Sequence, residues 1–130
     1  MKFMLLQHYG RVEGNVPPIT EWAPEDAEAH IKFQMDLNAE LQERGEFVEA
    51  QALTGAAKMV LATDGAPLVT DGPFPESKEL LAGWRTVDVE SEERALEIAA
   101  QASEGPGPAG VPLRQQIEVR QVMGPIEPTE

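Results

Sequence analysis

The sequence contains no cysteine, and this absence excludes a disulfide framework, a thiolate zinc site and a thiol nucleophile. Aromatic residues make up only 5 % of the chain, so the hydrophobic core must consist mainly of Leu, Ile, Val, Ala and Met. A chain of 130 residues is long enough for one such core. We therefore expect a single domain over residues 1–123 and a loose C-terminal tail over residues 124–130.

Basic residues are also few. The chain has 10 Lys and Arg residues against 23 Asp and Glu residues, a formal net charge of -13. A nucleic-acid partner requires a basic surplus on at least one face of a protein, and so does an anionic membrane. The composition therefore argues against both partners and indicates an acidic protein that its own charge keeps dispersed.

Long apolar runs are absent from the sequence. The N-terminal run over residues 3–6 ends at Gln7 and His8. It is too short for the apolar core of a signal peptide and for a membrane-spanning helix. We therefore expect the protein to reside in the cytoplasm.

Turn residues and apolar periodicity predict six strands and two helices. The strands are expected at 2–9, 46–53, 58–62, 67–70, 80–89 and 115–123, and the helices from Pro24 to Arg44 and from Ser91 to Ala102. Asp64 and Gly65 favour a hairpin between the third and fourth strands.

The segment after Pro24 carries two conflicting patterns. Apolar residues occupy every second position from Ala29 to Leu41, which is typical of a strand. However, the segment has about 20 residues without a helix breaker, no run of β-branched residues, and many Glu, Gln, Ala and Leu residues. Pro24 suits a first helical position and Gly45 suits a helix end. We therefore predict a helix.

Without the hairpin, the element order is βαββαβ, the split βαβ or ferredoxin-like plan of an α+β protein. Two helices cover only one face of such a sheet, so the other face needs a partner. That face is not fully polar, because Met4 and Leu6 alternate with Phe3 and Leu5 in the first strand. The sequence therefore predicts a homodimer through packed sheet faces.

Common cofactor and catalytic motifs are absent. The sequence has no GxGxxG fingerprint, no P-loop, no His-x-x-x-His pair and no recognisable Ser-His-Asp arrangement. Gly105-Pro106-Gly107 is a poor phosphate loop, because proline removes backbone amides. His8 and His30 are the only histidines, and their spacing does not support a metal site. We expect no cofactor and no metal.

The first helix carries polar residues within its core-facing stripe. His30, Gln34 and Asn38 are spaced four apart on the side that also contains Ile31 and Leu41. Buried polar groups need hydrogen-bond partners, so these residues either bond to neighbouring structure or line a cavity against the sheet. His30 is the side chain there that can transfer a proton near neutral pH.

The last strand carries a charged pair. Glu118 and Arg120 lie two residues apart and therefore share one strand face. They form either a surface ion pair of little energetic weight or, if a second subunit covers that face, a buried anchor or part of a ligand pocket. His8 shares its strand face with Met4 and Leu6 and is more typical of a core or interface residue than of a metal ligand.

Asp71 lies at the start of a distinctive turn segment. Its side chain can bond backbone amides two residues on, and Pro73 favours an extended Gly72. The alternative is a carboxylate at the mouth of a pocket. The following Pro73-Phe74-Pro75 elbow could also hold Phe74 in a dimer contact.

These residues resemble a known family. The run from Val69 to Glu79 followed by Leu81-Ala82-Gly83-Trp84 is similar to the signature of the YCII-related, DGPF-domain proteins. Smaller similarities are Met4-Leu5-Leu6, Gly45-Glu46 and Glu118-Val119-Arg120. The resemblance implies a ferredoxin-like αβ-barrel subunit that is commonly dimeric through its sheets.

The resemblance implies less about activity. Many family members are uncharacterised, and some lie near genes for extracytoplasmic-function sigma factors, which implies regulation linked to a sigma factor. In the wider group a His and an Asp are proposed as an active-site pair, and one branch resembles a dehydrochlorinase of a chlorinated aromatic. His30 lies where that histidine is expected, and Asp71 is the nearest candidate for the aspartate, because Asp36 lies on the wet face of the helix.

Two functions follow from these features. The first is a dimeric small-molecule-binding or regulatory module, with Gln34, Glu118 and Arg120 as ligand-binding residues. The alternative is a small enzyme that uses His30, with Asp71, in acid-base chemistry on an anionic or aromatic substrate. In that enzyme Arg120 would steady the anion.

Overall fold

The computed structural model describes residues 1–10, 17, 19–72 and 79–125. Its elements are β1 (Lys2–Gly10), α1 (Pro24–Glu43), β2 (Phe47–Ala52), β3 (Ala57–Leu61), β4 (Leu68–Gly72), β5 (Glu79–Asp88), α2 (Glu92–Ser103) and β6 (Ile117–Gln121). Short 3-10 turns lie before α1, at Ile19–Glu21, and before β6, at Pro108–Gly110. The predicted element order is confirmed, with boundaries shifted by at most two residues. The predicted Pro-Phe-Pro elbow and the last five residues of the tail lie outside the described residues.

Four strands form one antiparallel sheet in the order β2-β5-β1-β6. This order and the two helices are compatible with the ferredoxin-like plan. In the register of the central strands, Leu5 lies opposite Arg85 of β5 and opposite Val119 of β6. Since side chains opposite each other share a sheet face, this register determines which residues face the helices.

The segment from Pro24 to Glu43 is an α-helix despite its alternating apolar residues. Pro24 occupies its first turn with Glu25 and Asp26, where acidic side chains favourably meet the positive end of the helix dipole. Gly45 follows with a φ of 72°, a left-handed conformation that suits glycine and ends the helix. Helix propensity therefore outweighs the alternation.

The hydrophobic core lies beneath α2 and the C-terminal half of α1. It combines apolar side chains from the sheet with those of both helices, namely Phe3, Leu5, Leu37, Leu41, Val87, Val89, Ala95, Ile98, Ala99 and Ala102. The small side chains of Ala95, Ala99 and Ala102 form the α2 part of this core together with Ile98. The Ser91 side chain caps the helix by accepting a hydrogen bond from the Arg94 amide at 3.2 Å.

The N-terminal half of α1 does not join this core. We expected Ile31 to face the core with Leu41, but Ile31 is 50 % exposed whereas Leu41 is completely buried. Met35 is also exposed. The prediction for Ile31 is wrong because the buried core residues of α1 are Leu37 and Leu41, whereas Ile31 borders open space between the helix and the sheet.

Strands β3 and β4 form a separate hairpin at the predicted position. All of its strand residues are exposed except Gly72, which is half-buried. In the turn that connects β3 and β4, the Thr63 hydroxyl donates a hydrogen bond to the Ala66 carbonyl at 2.7 Å. The hairpin therefore adds little to the core that holds the four-stranded sheet and the helices together.

Among the described residues, no helix combines the length and the apolar character that crossing a membrane requires.

Candidate functional site

A cavity of about 490 Å³ lies between the N-terminal half of α1 and the helix-facing side of the sheet. Its walls include residues from β1, α1, β2 and β5 and from the connections that precede α1 and β6. Apolar side chains such as Leu5, Trp22, Ile31, Met35 and Leu113 supply much of the surface. The cavity occupies the gap that the core leaves open.

Arg85 is the most unusual residue of this cavity. Its position opposite Leu5 of β1 and Ala50 of β2 directs it to the helix-facing side of the sheet. Its residue surface is only 6 % exposed, although arginine is rarely buried without a partner of opposite charge. The strand therefore brings a cation beneath the first helix.

Two amide side chains of α1 hold the Arg85 guanidinium. Nε donates to Asn38 Oδ1 at 2.8 Å, and Nη2 donates to Gln34 Oε1 at 2.7 Å. Among the described residues, no carboxylate forms a salt bridge with Arg85. Burial lowers the pKa of Arg85 to about 10, so the side chain still carries its charge at neutral pH.

His30 joins the same network one turn earlier on α1. Its Nδ1 lies 3.0 Å from the Pro106 carbonyl oxygen. A carbonyl only accepts, so Nδ1 carries the proton and Nε2 keeps a lone pair. The Gln34 amide nitrogen lies 3.4 Å from that Nε2 and donates weakly to it. In the hydrogen-bond series from Pro106 through His30 and Gln34 to Arg85, each contact therefore pairs one donor with one acceptor.

The surroundings of His30 favour its neutral form. Burial lowers the pKa of His30, and the hydrogen bond to the Pro106 carbonyl only partly opposes this effect. The Trp22 indole meets the imidazole edge to face, with ring centroids 5.4 Å apart. The backbone at Gly105 packs beside both rings of this helix turn, since a Cβ there would lie in ordinary contact with His30 Cε1 at 3.4 Å and in slightly tight contact with Phe33 Cδ1 at 3.3 Å.

Acidic residues do not line this cavity in the part of the chain that the structure describes. This is informative because the whole chain contains 23 Asp and Glu residues. The lining combines one buried cation with neutral amides and apolar side chains. The cavity therefore offers positive charge and hydrogen-bond donors within an otherwise acidic protein.

The structure brings together three residues that the sequence predicts as a polar stripe. His30, Gln34 and Asn38 all line the cavity and all make hydrogen bonds. The polar stripe therefore does both things that the sequence offered as alternatives: its residues make hydrogen bonds with neighbouring structure, and they line a cavity against the sheet.

The predicted pair on the last strand lies elsewhere. Glu118 and Arg120 are opposite Leu6 and Met4 of β1, so they occupy the sheet face away from the helices. Arg120 Nε lies 3.9 Å from Glu118 Oε2, and both side chains are exposed. Glu118 also contacts the other histidine, with Oε1 3.3 Å from His8 Nε2. The sheet separates this group from His30 and Gln34.

Asp71 is not brought to His30. It lies on the hairpin, bonds Lys58 of the neighbouring strand, and is exposed. It is not part of the cavity lining. Asp36, the other aspartate considered, pairs with Lys32 at 2.6 Å on the exposed side of α1. Among the described residues, neither aspartate contacts the His30 imidazole.

Arg85 was missed by the sequence analysis. The available signal was its place among Gly83, Val87 and Val89, which alternate on one face of the strand. A basic residue on such an apolar face indicates either that the cation is buried or that the predicted alternation of the strand is off by one residue. The cavity role of the Pro106 carbonyl had no comparable signal, because backbone contacts of loops depend on the folded path of the chain.

In this cysteine-free chain the possible side-chain metal ligands are histidines and carboxylates. Among the described residues, no group of three or more His, Asp or Glu side chains converges as metal ligands. His8 and His30 lie on opposite sides of the sheet, since His8 contacts Glu118 and His30 contacts the loop above α1.

Comparison with known proteins identifies the family. No curated protein matches the sequence. The family model described as the YCII-related domain matches residues 1–111, a span that includes the cavity residues of α1 and β5 and ends before β6. The match covers most of the chain, and the protein therefore belongs to the YCII-related family.

Proposed function

We propose that this protein is a small-molecule-binding module whose ligand occupies the cavity between α1 and the sheet. The observation that carries the proposal is an apolar cavity of about 490 Å³ in which the polar groups of His30, Gln34 and Arg85 converge. Ligand pockets in proteins typically have volumes of about 300–1,000 Å³ and combine apolar walls with a few oriented polar groups. The cavity has both properties.

A pair of matched variants tests this function. Ile31 lines the cavity and Leu96 of α2 does not, although each residue is 50 % exposed. Ile31→Trp should fill cavity space without entering the core, whereas Leu96→Trp should leave the cavity unchanged. We expect compounds that raise the melting temperature of the wild type and Leu96→Trp to lose this effect on Ile31→Trp. Equal effects on all three proteins would contradict cavity binding.

We also propose that the protein is a homodimer through the sheet face away from the helices. Met4 and Leu6 lie on this face, and in the described part of the chain both helices pack on the other side. The occupant of the face is a second copy, whose Met4 and Leu6 would supply the same apolar surface. Sedimentation at micromolar concentration should give a dimer, and Leu6→Glu should shift it toward monomer. A monomeric wild type would contradict this assembly.

A second candidate function is acid-base catalysis by His30. Its favouring observation is an imidazole whose lowered pKa favours the neutral form and whose Nε2 lone pair is held only weakly by Gln34, at 3.4 Å, which is the form of a general base. Any turnover of an anionic or aromatic substrate should be lost in His30→Gln and kept in His8→Gln. Turnover that survives in His30→Gln would exclude this role. Regulation linked to a sigma factor stays a prediction from the family resemblance.

A further inference from the structure

We propose that the cavity selects a small organic carboxylate with an apolar body, and that Arg85 binds its carboxylate group. This inference rests on the proposed binding function and specifies its ligand class. It replaces Arg120, the arginine that the sequence favoured for an anion, with a residue on the opposite side of the sheet.

Arg85 has hydrogen-bond donors that the described residues leave unused. A guanidinium has five N–H donors. Asn38 accepts from Nε and Gln34 accepts from Nη2, so two of the five donors are used and three have no acceptor among the described residues. These three include both donors of Nη1. A carboxylate accepts two parallel hydrogen bonds from such a planar group.

The positive charge of Arg85 also favours an anionic ligand. A buried cation is costly unless an opposite charge compensates it. Arg85 is 6 % exposed, and its two protein acceptors are neutral amides. No Asp or Glu of the described chain lines the cavity. A bound anion would supply the compensation that the protein does not.

The number of cations in the lining indicates the type of anion. The described lining contains one arginine and no lysine, so it compensates one negative charge. Phosphate at neutral pH carries more charge and is commonly held by several cations or by a series of backbone amides at a helix start. The start of α1 at Pro24 is not part of the lining. A monoanionic carboxylate therefore matches the site better than a phosphate.

The apolar walls of the cavity suit an apolar body for the rest of the ligand. Ile31 and Met35 line the cavity and are 50 % and 64 % exposed, so a ligand with an apolar body would remove their surface from water. Trp22 offers an aromatic wall beside His30. Gln34, which bonds both Arg85 and His30, is a positioning residue that holds the guanidinium in place.

Paired probes test the charge preference on the unmodified protein. Benzoate is compared with benzamide, and phenylacetate with phenylacetamide, by isothermal titration calorimetry. The members of each pair have nearly the same shape and differ in charge. A charge-assisted hydrogen bond to a buried group contributes enough to make each carboxylate bind about 10- to 100-fold more tightly than its amide. Equal affinities within both pairs would overturn the carboxylate assignment.

Variants of the two arginines show which residue causes the preference for carboxylates over amides. Arg85→Met should remove the difference between carboxylate and amide while amide binding persists, and Arg120→Gln should leave the difference unchanged. Arg85→Lys, which keeps the charge but loses the planar fork, should retain a reduced preference. The wild-type comparison remains decisive even if Arg85→Met does not fold. An unchanged preference in folded Arg85→Met would overturn the role of Arg85.

Two further outcomes separate this inference from the function on which it rests. If inorganic phosphate alone binds as tightly as benzoate and loses its affinity in Arg85→Met, the carboxylate class is wrong but the anion site is real. If carboxylates and amides bind equally and Ile31→Trp abolishes both, the cavity binds ligands without selecting anions. If no probe or library compound binds the wild type, the proposed binding function itself fails.

Discussion

Gln34 links Arg85 to His30: its side-chain oxygen accepts from Arg85 Nη2 at 2.7 Å, while its amide nitrogen lies 3.4 Å from His30 Nε2. This link joins a strand cation to a helix imidazole across the cavity. It fixes the orientation of the Gln34 amide, because the oxygen must face the guanidinium and the nitrogen must face the lone pair of the imidazole.

The link predicts energetic coupling between Gln34 and Arg85. Gln34→Leu leaves a buried donor of Arg85 without its acceptor, which should cost about 1–3 kcal/mol of unfolding free energy. In the Arg85→Met background the same change should cost less, since the donor is already gone. Urea denaturation of the wild type, the two single variants and the double variant measures this difference. Strict additivity would contradict the link.

The burial of His30 predicts a pH dependence of stability. The pKa of His30 in the folded protein lies below its ordinary value of 6.5, so the unfolded chain binds a proton more readily than the folded protein. Stability should therefore fall as pH decreases below about 6.5, with a slope of at most about 1.4 kcal/mol per pH unit for one proton. His30→Gln should flatten the curve just below pH 6.5. A variant curve parallel to the wild-type curve would refute this account.

The half-buried ion pair Glu46–Arg94 should contribute more to the unfolding free energy than the exposed ion pair Lys32–Asp36. Arg94 donates from Nε and Nη2 to the Glu46 carboxylate, both at 2.9 Å, and the two side chains are only 12 % and 18 % exposed. Glu46→Gln should cost about 1–3 kcal/mol. The exposed pair Lys32–Asp36 is the control, and Asp36→Asn should change the unfolding free energy by less than about 0.5 kcal/mol.

The same hydrogen bonds from Arg94 lower the pKa of Glu46 below its ordinary value of 4.5. The stabilisation of the folded protein by this pair should therefore be fully present above about pH 4.5. It should be lost as the pH falls through the pKa that Glu46 has in the folded protein. Equal losses for Glu46→Gln and Asp36→Asn at pH 7 would contradict the distinction between the two pairs.

The separate hairpin predicts a contrast between two leucines. Leu41 of α1 is completely buried in the core, whereas Leu61 of the hairpin is 64 % exposed. Leu41→Ala should cost about 2–5 kcal/mol, and Leu61→Ala should change stability by less than about 0.5 kcal/mol. Thermal or urea unfolding of both variants measures the difference. A large loss at Leu61 would show that the hairpin is packed in solution, for example against a second copy.

Local patterns predicted most of the fold. The strands, both helices and the hairpin follow from turn residues, caps and propensities, which act over a few positions. Pro24 and Ser91 mark the helix starts correctly. Helical spacing also placed His30, Gln34 and Asn38 on one side of α1, because residues four apart lie above each other in any helix.

The rest of the candidate site depends on tertiary structure. Arg85 becomes a cavity residue only through the register that sets it opposite Leu5, and register is a contact between distant segments. Glu118 and Arg120 were correctly predicted to share a strand face, but the face that the helices cover could not be derived from β6 alone. Asp71 is local to its hairpin, so its separation from His30 depends on the path of the whole chain.

Nuclear magnetic resonance of the arginine Nε–H groups tests most directly whether a ligand binds at Arg85 within the cavity. Titration with benzoate should produce a saturating shift of the Arg85 Nε–H resonance and of the Trp22 indole N–H resonance, with no shift of the Arg120 Nε–H resonance. An unchanged Arg85 resonance at saturating benzoate, or a shift confined to Arg120, would contradict binding at Arg85.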